Sequence, residues 1–105
     1  MKRGEVWWAR MPEPAGRRPV VLVSRDSAYA VRASISVVEV SRTARGIPSE
    51  VLLGKRQGLP RRCVANTDNI VTSPKSWLES KISALSRDKV SALDAALMFS
   101  LALTR

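Results

Sequence analysis

Hydrophobic positions change period once along the chain, and the change separates a strand-rich stretch from a terminal helix. Residues Glu5 to Met11 alternate and are rich in Val and Trp, which predicts a strand. Pro12, Pro14 and Gly16 then break the chain into a loop. Pro19 to Val23 is a continuous apolar run, the mark of a buried strand, with Pro19 suited to its first position. Residues Arg25 to Val31 are mixed and read as irregular, with room for a helical turn. Ser34 to Ser41 alternates and predicts a third strand, and Glu50 to Leu53 a short fourth. Two basic loops follow these strands, Arg42–Pro48 and Gly54–Pro60. Arg62–Ala65 and Ile70–Thr72 read as two short strands around an Asn66-Thr67-Asp68-Asn69 turn. Pro74 starts another break, and Ser80–Leu85 reads as the last strand.

From Ser86 the period becomes helical. Ser86 suits an N-cap, and Asp88 places a negative charge in the first turn, where the helix dipole favours it. Val90, Leu93, Leu97 and Leu101 recur at helical spacing, and Ala92, Ala96 and Phe99 widen the stripe. A helix from Arg87 to Leu101, packed on the sheet, is expected. Many short strands and one helix indicate an α+β, mainly β fold: a small, strongly bent antiparallel sheet or barrel with a C-terminal helix. A length of 105 residues fits one domain, 1–105.

Composition narrows the chemistry. There are 18 Lys plus Arg against 9 Asp plus Glu, a formal net charge of +9, with no His and one Cys. Without histidine there is no Ser-His-Asp or Cys-His triad, no histidine acid–base pair and no His-ligated metal. One Cys forms neither an internal disulfide nor a Cys-only metal site. Neither metal nor cofactor is expected. The positive surplus points to an acidic partner, nucleic acid first. Arg heavily outnumbers Lys, and its planar fork suits phosphate. No stretch approaches the ~20 apolar residues of a membrane span. Met1-Lys2-Arg3-Gly4 runs into Glu5 with no apolar signal core behind it. A cytoplasmic protein with no membrane partner is therefore expected.

Several residues stand where they could act. Arg17 and Arg18 precede a buried strand, a rigid support for preorganised positive charge, although arginines there can also simply end a strand in water. Ser41, at the end of the third strand, could donate to a phosphate oxygen or serve only its own turn. Arg42 and Arg45, with Lys55 and Arg56 in the next loop, could wall a groove for a polyanion or form a solvated face. Trp7 and Trp8 point to opposite faces of their strand, so one suits the core and the other needs cover from a helix, a partner or a ligand. Residues 66–69 offer base-edge hydrogen bonding or plain turn chemistry. Cys63 reads as a small buried hydrophobe.

The order of features is more specific than any one of them. Lys2-Arg3-Gly4-Glu5-Val6-Trp7-Trp8 precedes Arg18-Pro19-Val20-Val21-Leu22-Val23-Ser24. Val38-Glu39-Val40-Ser41, Gly46-Ile47-Pro48-Ser49-Glu50-Val51 and Asp68-Asn69-Ile70 follow, before the amphipathic end Leu101-Ala102-Leu103. In this series the chain resembles the MazF/PemK family of toxin endoribonucleases over essentially its whole length. The resemblance implies a small SH3-like, CcdB/MazF-like barrel forming a homodimer. It implies metal-independent, sequence-specific cleavage of single-stranded RNA, and a cognate MazE-like antitoxin whose acidic tail covers the RNA groove. The family's key arginine falls on Arg18, its key Thr or Ser on Ser41, and its acidic-Gln position near the groove on Asp68 and Asn69. One departure is clear: the first loop is only Pro12-Glu13-Pro14-Ala15-Gly16-Arg17, and the acidic residue some members place there has no secure counterpart, Glu13 being the nearest.

Substrate-assisted chemistry suits this composition. RNA supplies its own 2′-OH nucleophile, and in-line attack gives a 2′,3′-cyclic phosphate and a 5′-OH. Arg18 and Ser41 would stabilise charge on the phosphorane. Two other readings compete: a non-catalytic RNA-binding barrel, and a CcdB-like toxin that binds DNA gyrase. Against the latter, the chain ends Leu101-Ala102-Leu103-Thr104-Arg105, without the C-terminal Trp of such toxins.

Overall fold

The computed structural model describes residues 1–103. Among them are six strands: β1 (Glu5–Arg10), β2 (Arg17–Leu22), β3 (Ser34–Ser41), β4 (Glu50–Leu53), β5 (Cys63–Pro74) and β6 (Leu78–Ala84). They form one antiparallel sheet in the order β4-β5-β3-β2-β1-β6. A short helix α1 (Ala28–Val31) joins β2 to β3, and the long helix α2 (Arg87–Ser100) follows β6. This is the mainly-β bent sheet with a C-terminal helix that the periodicity predicts. Thr104 and Arg105, the end of the segment weighed against a gyrase-binding toxin, lie outside the described residues.

Both faces of the sheet are covered, so its central strands are apolar on both sides. Val6, Val21, Val38, Val40 and Ala65 pack beneath Leu93, Ala96 and Leu97 of α2. On the other face Ala9, Val20, Leu22, Ile35 and Val37 pack with Met11 and with Tyr29 of α1. Helix α2 starts as its sequence indicates: the Ser86 Oγ accepts the Lys89 N–H at 3.2 Å, and Asp88 sits in the first turn.

Two expectations need correction. Pro19 is the third residue of β2, not its first, because the strand begins at Arg17. Pro19 pairs with Trp8 on β1, whereas pairing with β3 starts only at Val20. The missing N–H of Pro19 therefore faces a side where no ladder forms, which is where a strand tolerates proline. Residues 63–74 are one strand, not two around a turn. Val38 pairs with Ile70 and the next residue, Glu39, pairs with Asn66, so residues 67–69 are absorbed as a bulge. Thr67 anchors that bulge: fully buried, its Oγ1 lies 2.6 Å from the Ser49 carbonyl oxygen and 3.2 Å from that of Ala96 in α2.

The two edges of the sheet meet through the 3₁₀ turn Lys55–Gln57 after β4. The Ser83 hydroxyl of β6 donates to the Gln57 carbonyl at 2.6 Å. Gly58 then turns with φ +81°, and a Cβ there would lie 2.9 Å from Ile82 Cγ2. Glycine meets both the backbone and the space requirement.

Candidate active site

Strand register explains where the site lies. β2 and β3 pair over Val20–Glu39, Val21–Val38 and Leu22–Val37. Continued by two residues, the same register sets Arg18 across from Ser41. Pairing stops before that point, and a cleft of about 540 Å³ opens there, a size suited to a ligand. Where the strands part, both sheet faces contribute to its walls. Trp8, Arg17, Pro19 and Val40 come from the face toward α2, and Arg18 and Ser41 from the other. Ala15, Arg42, Thr43, Cys63 and the segment Leu59-Pro60-Arg61 complete the lining.

Among the described residues four arginines and no carboxylate line this cleft, with Glu39 just outside it against Arg18. Arg18 is held from two directions. Its Nε donates to the Ala15 carbonyl at 3.1 Å, and its Nη1 lies 3.7 Å from Glu39 Oε1, too far for a hydrogen bond. Its guanidinium is thus oriented while its fork stays available to an anion. The Ser41 Oγ accepts the Thr43 N–H at 3.1 Å. The turn reading of Ser41 is therefore met, yet the hydroxyl proton remains free to be donated.

Arg17 forms the cationic upper wall. Its guanidinium carbon lies 4.1 Å from the centroid of the Trp8 ring. Glu79 on β6 fixes it there, accepting Arg17 Nε at 2.9 Å and Arg10 Nε at 3.0 Å. The hydrogen bonds from Arg17 and Arg10 hold the Glu79 carboxyl below its ordinary value of 4.5. Burial pushes the Cys63 thiol up, which makes it a poor nucleophile at neutral pH.

Of the residues singled out from sequence, the cleft gathers Arg17, Arg18, Ser41 and Arg42. Arg45, Lys55, Arg56, Asp68 and Asn69 do not line it. The N–H groups of Arg45 and Gly46 donate to Glu50 Oε1 at 2.8 and 3.0 Å, which shapes the first basic loop. Asp68 is engaged by the Ser49 hydroxyl at 2.7 Å. Neither tryptophan is fully buried. Trp7 leans on the core beside α1 and donates its indole N–H to Glu5 at 2.9 Å, while Trp8 walls the cleft. Sequence reasoning overlooks Arg61, Thr43 and Glu39. The strand alternation that places Ser41 places Glu39 on the same face, and is the one signal that could have drawn it in.

A curled six-stranded sheet with a C-terminal helix that opens an arginine-lined cleft between two diverging strands defines a small, mainly β protein. Comparison with known proteins narrows this. Residues 2–101 match the family described as "PemK-like, MazF-like toxin of type II toxin-antitoxin system". The chain belongs to that family. It is 39% identical over 87 residues to "Probable endoribonuclease MazF2" of Mycobacterium tuberculosis, covering 82% of this chain and 83% of the relative. It is 38% identical over 96 residues to "Probable endoribonuclease MazF5" of the same organism, covering 90% and 87%. Among solved structures, Mycobacterium tuberculosis toxin MazF-mt6 superposes with TM-score 0.88 at 25% identity, covering 96% of this chain and 99% of that one. A mycobacterial endoribonuclease in complex with its cognate antitoxin superposes with TM-score 0.87 at 26% identity, covering 100% and 98%.

Proposed function

We propose that this toxin is a metal-independent endoribonuclease that cuts single-stranded RNA at specific sequences within the Arg18–Ser41 cleft. The observation that carries the reading is that a fixed arginine fork and a hydroxyl with a free proton share one cleft lined by four arginines. The substrate's 2′-OH attacks the adjacent phosphorus in line, giving a 2′,3′-cyclic phosphate and a 5′-OH. Arg18 donates to the non-bridging oxygens and Ser41 adds a third hydrogen bond as charge builds on the phosphorane. Holding the scissile step in line is the cleft's second task. Arg18 acts as an electrostatic stabiliser, since guanidinium has no lone pair to accept a proton.

Outside the scissile step, Arg17 and Arg42 would contact flanking phosphates, and Arg45, Lys55 and Arg56 would extend the track. Asp68 and Asn69 would read base edges from the β5 bulge. The same cationic surface suits the acidic tail of a MazE-like antitoxin, a reading supported by the solved relative held by its cognate antitoxin. A homodimer is supported by the apolar end of α2, where Phe99, Leu101 and Leu103 are each more than half exposed. Among the described residues no helix is long and apolar enough to cross a membrane, and we place the activity in the cytoplasm.

The test is incubation of the purified protein with single-stranded RNA in excess EDTA, followed by analysis of the ends. Cleavage with 2′,3′-cyclic phosphate and 5′-OH ends is expected. Uncut RNA, or products ending in 3′-OH, would sink the mechanism.

A further inference from the structure

The chemistry above leaves the proton of the attacking 2′-OH without an acceptor, since neither guanidinium nor a hydroxyl already serving the Thr43 N–H is a competent base at neutral pH. Glu39 stands beside the pair. It lies two residues before Ser41 on the same face of β3, and its Oε1 is 3.7 Å from Arg18 Nη1. The register brings the two within reach: Glu39 pairs with Val20, so it is the diagonal neighbour of Arg18 across the strands. Its side chain is only 21% exposed. Arg18 is the charged group that faces it from β2. On its other side its register partner is the neutral Asn66 of β5, and Glu50 of β4 follows beyond Asn66. A carboxylate at this place weakens the cleft's attraction for phosphate, and its 3.7 Å contact is too long to tie it to Arg18 by a hydrogen bond.

We propose that Glu39 is the general base of the cleavage step, an inference that rests on the endoribonuclease reading. Its carboxylate takes the proton of the 2′-OH as the bond from that oxygen to phosphorus forms. The bond from phosphorus to O5′ breaks, its electron pair stays on O5′, and water protonates that oxygen. Glu39 then returns its proton to solvent, so no other reactant is consumed.

The experiment compares wild type, Glu39→Gln and Glu39→Asp in single-turnover cleavage of single-stranded RNA across pH. Affinity is measured in parallel for the same RNA carrying a 2′-deoxy nucleotide at the mapped cut site. Glu39→Gln should lose about 10²–10⁴-fold in rate, the usual contribution of a positioned base. Its rate should no longer fall toward acid pH, and it should bind the uncleavable RNA as well as wild type or better. Glu39→Asp should keep the acid limb at a reduced rate. Cleavage by Glu39→Gln at the wild-type rate, or retention of its acid limb, overturns the assignment. So does a parallel loss of affinity for the 2′-deoxy RNA, which would make Glu39 a support for Arg18. Failure of wild type to cut RNA at all overturns the endoribonuclease reading instead.

Discussion

Arg17 sits over Trp8, its guanidinium carbon 4.1 Å from the ring centroid, and Glu79 holds it there. The guanidinium seated on the indole is a stacking platform for an unpaired base in the proposed RNA cleft, and such stacking contributes ~1–3 kcal/mol. Trp8→Ala should therefore raise KM for RNA about tenfold or more with a smaller change in kcat. Titration with short RNAs and steady-state cleavage check this; an unchanged KM would remove Trp8 from the substrate path.

Arg18→Ala should abolish measurable cleavage, because a key oxyanion donor is worth about 10²–10³ in rate and here also fixes the phosphate. Arg18→Lys should stay impaired, since an ammonium cannot supply a bidentate fork. Ser41→Ala should reduce the rate by less. Circular dichroism establishes that each variant is folded, and single-turnover rates then rank them.

RNA and an acidic peptide should compete for the cleft. If each of the four arginines lining it meets a phosphate, the log of RNA affinity should fall with log salt at a slope of about −3. An Asp/Glu-rich peptide that mimics an antitoxin tail should raise the apparent KM without changing kcat. Fluorescence anisotropy with labelled RNA reads the salt slope and the displacement, and cleavage rates read the KM. A flat salt dependence would count against the proposed groove.

Glu5 makes stability depend on acid. Burial alone would raise its carboxyl, but the hydrogen bonds from the Trp7 indole and from Lys81 outweigh it, so the net shift is downward from 4.5. A depressed carboxyl contributes stability that is present above the ordinary carboxyl value and is lost as pH falls through the folded one. Thermal melts of wild type should thus decline below about pH 4.5 more steeply than those of Glu5→Gln. Parallel curves would show that Glu5 carries none of this dependence.

Thr67→Val should destabilise the fold by about 1–3 kcal/mol, since it removes the donor facing two buried carbonyls while keeping the shape. Urea denaturation measures this, and an unchanged midpoint would mean that water or a backbone shift replaces the bond.

Local signals carried much of this fold. β3 and β4 have the bounds their alternation predicts, and α2 begins at its Ser86 cap and ends one residue before the expected Leu101. Residue type alone leaves Arg18 readable as a strand end and Ser41 as a turn residue; the family resemblance is what singles out the pair, and both line one cleft. What could not be read locally depends on contacts far along the chain. Asn66–Asn69 has turn-forming residues, but Thr67 finds its partners in Ser49 and Ala96, and those bonds keep β5 continuous. Arg17 entered the strand because Arg10 lies opposite it on β1 and Glu79 bridges both. Glu39 and Arg61 gain meaning only where β2 and β3 part, and that parting is set by the whole sheet's curl.

The hydrogen bond from Ser83 to Gln57 has a consequence for when the toxin becomes harmful. The cleft wall Leu59-Pro60-Arg61 follows directly from Gly58, which is seated against Ile82 of β6. During synthesis Arg18 and Ser41 emerge early, but the seat for that wall is made only when β6 has left the ribosome and found β1. A nascent chain that ends before β6 would thus hold Arg18 and Ser41 without the seat of the wall opposite them. If the proposed function holds, the cleft is complete only once β6 has closed against the turn that follows β4.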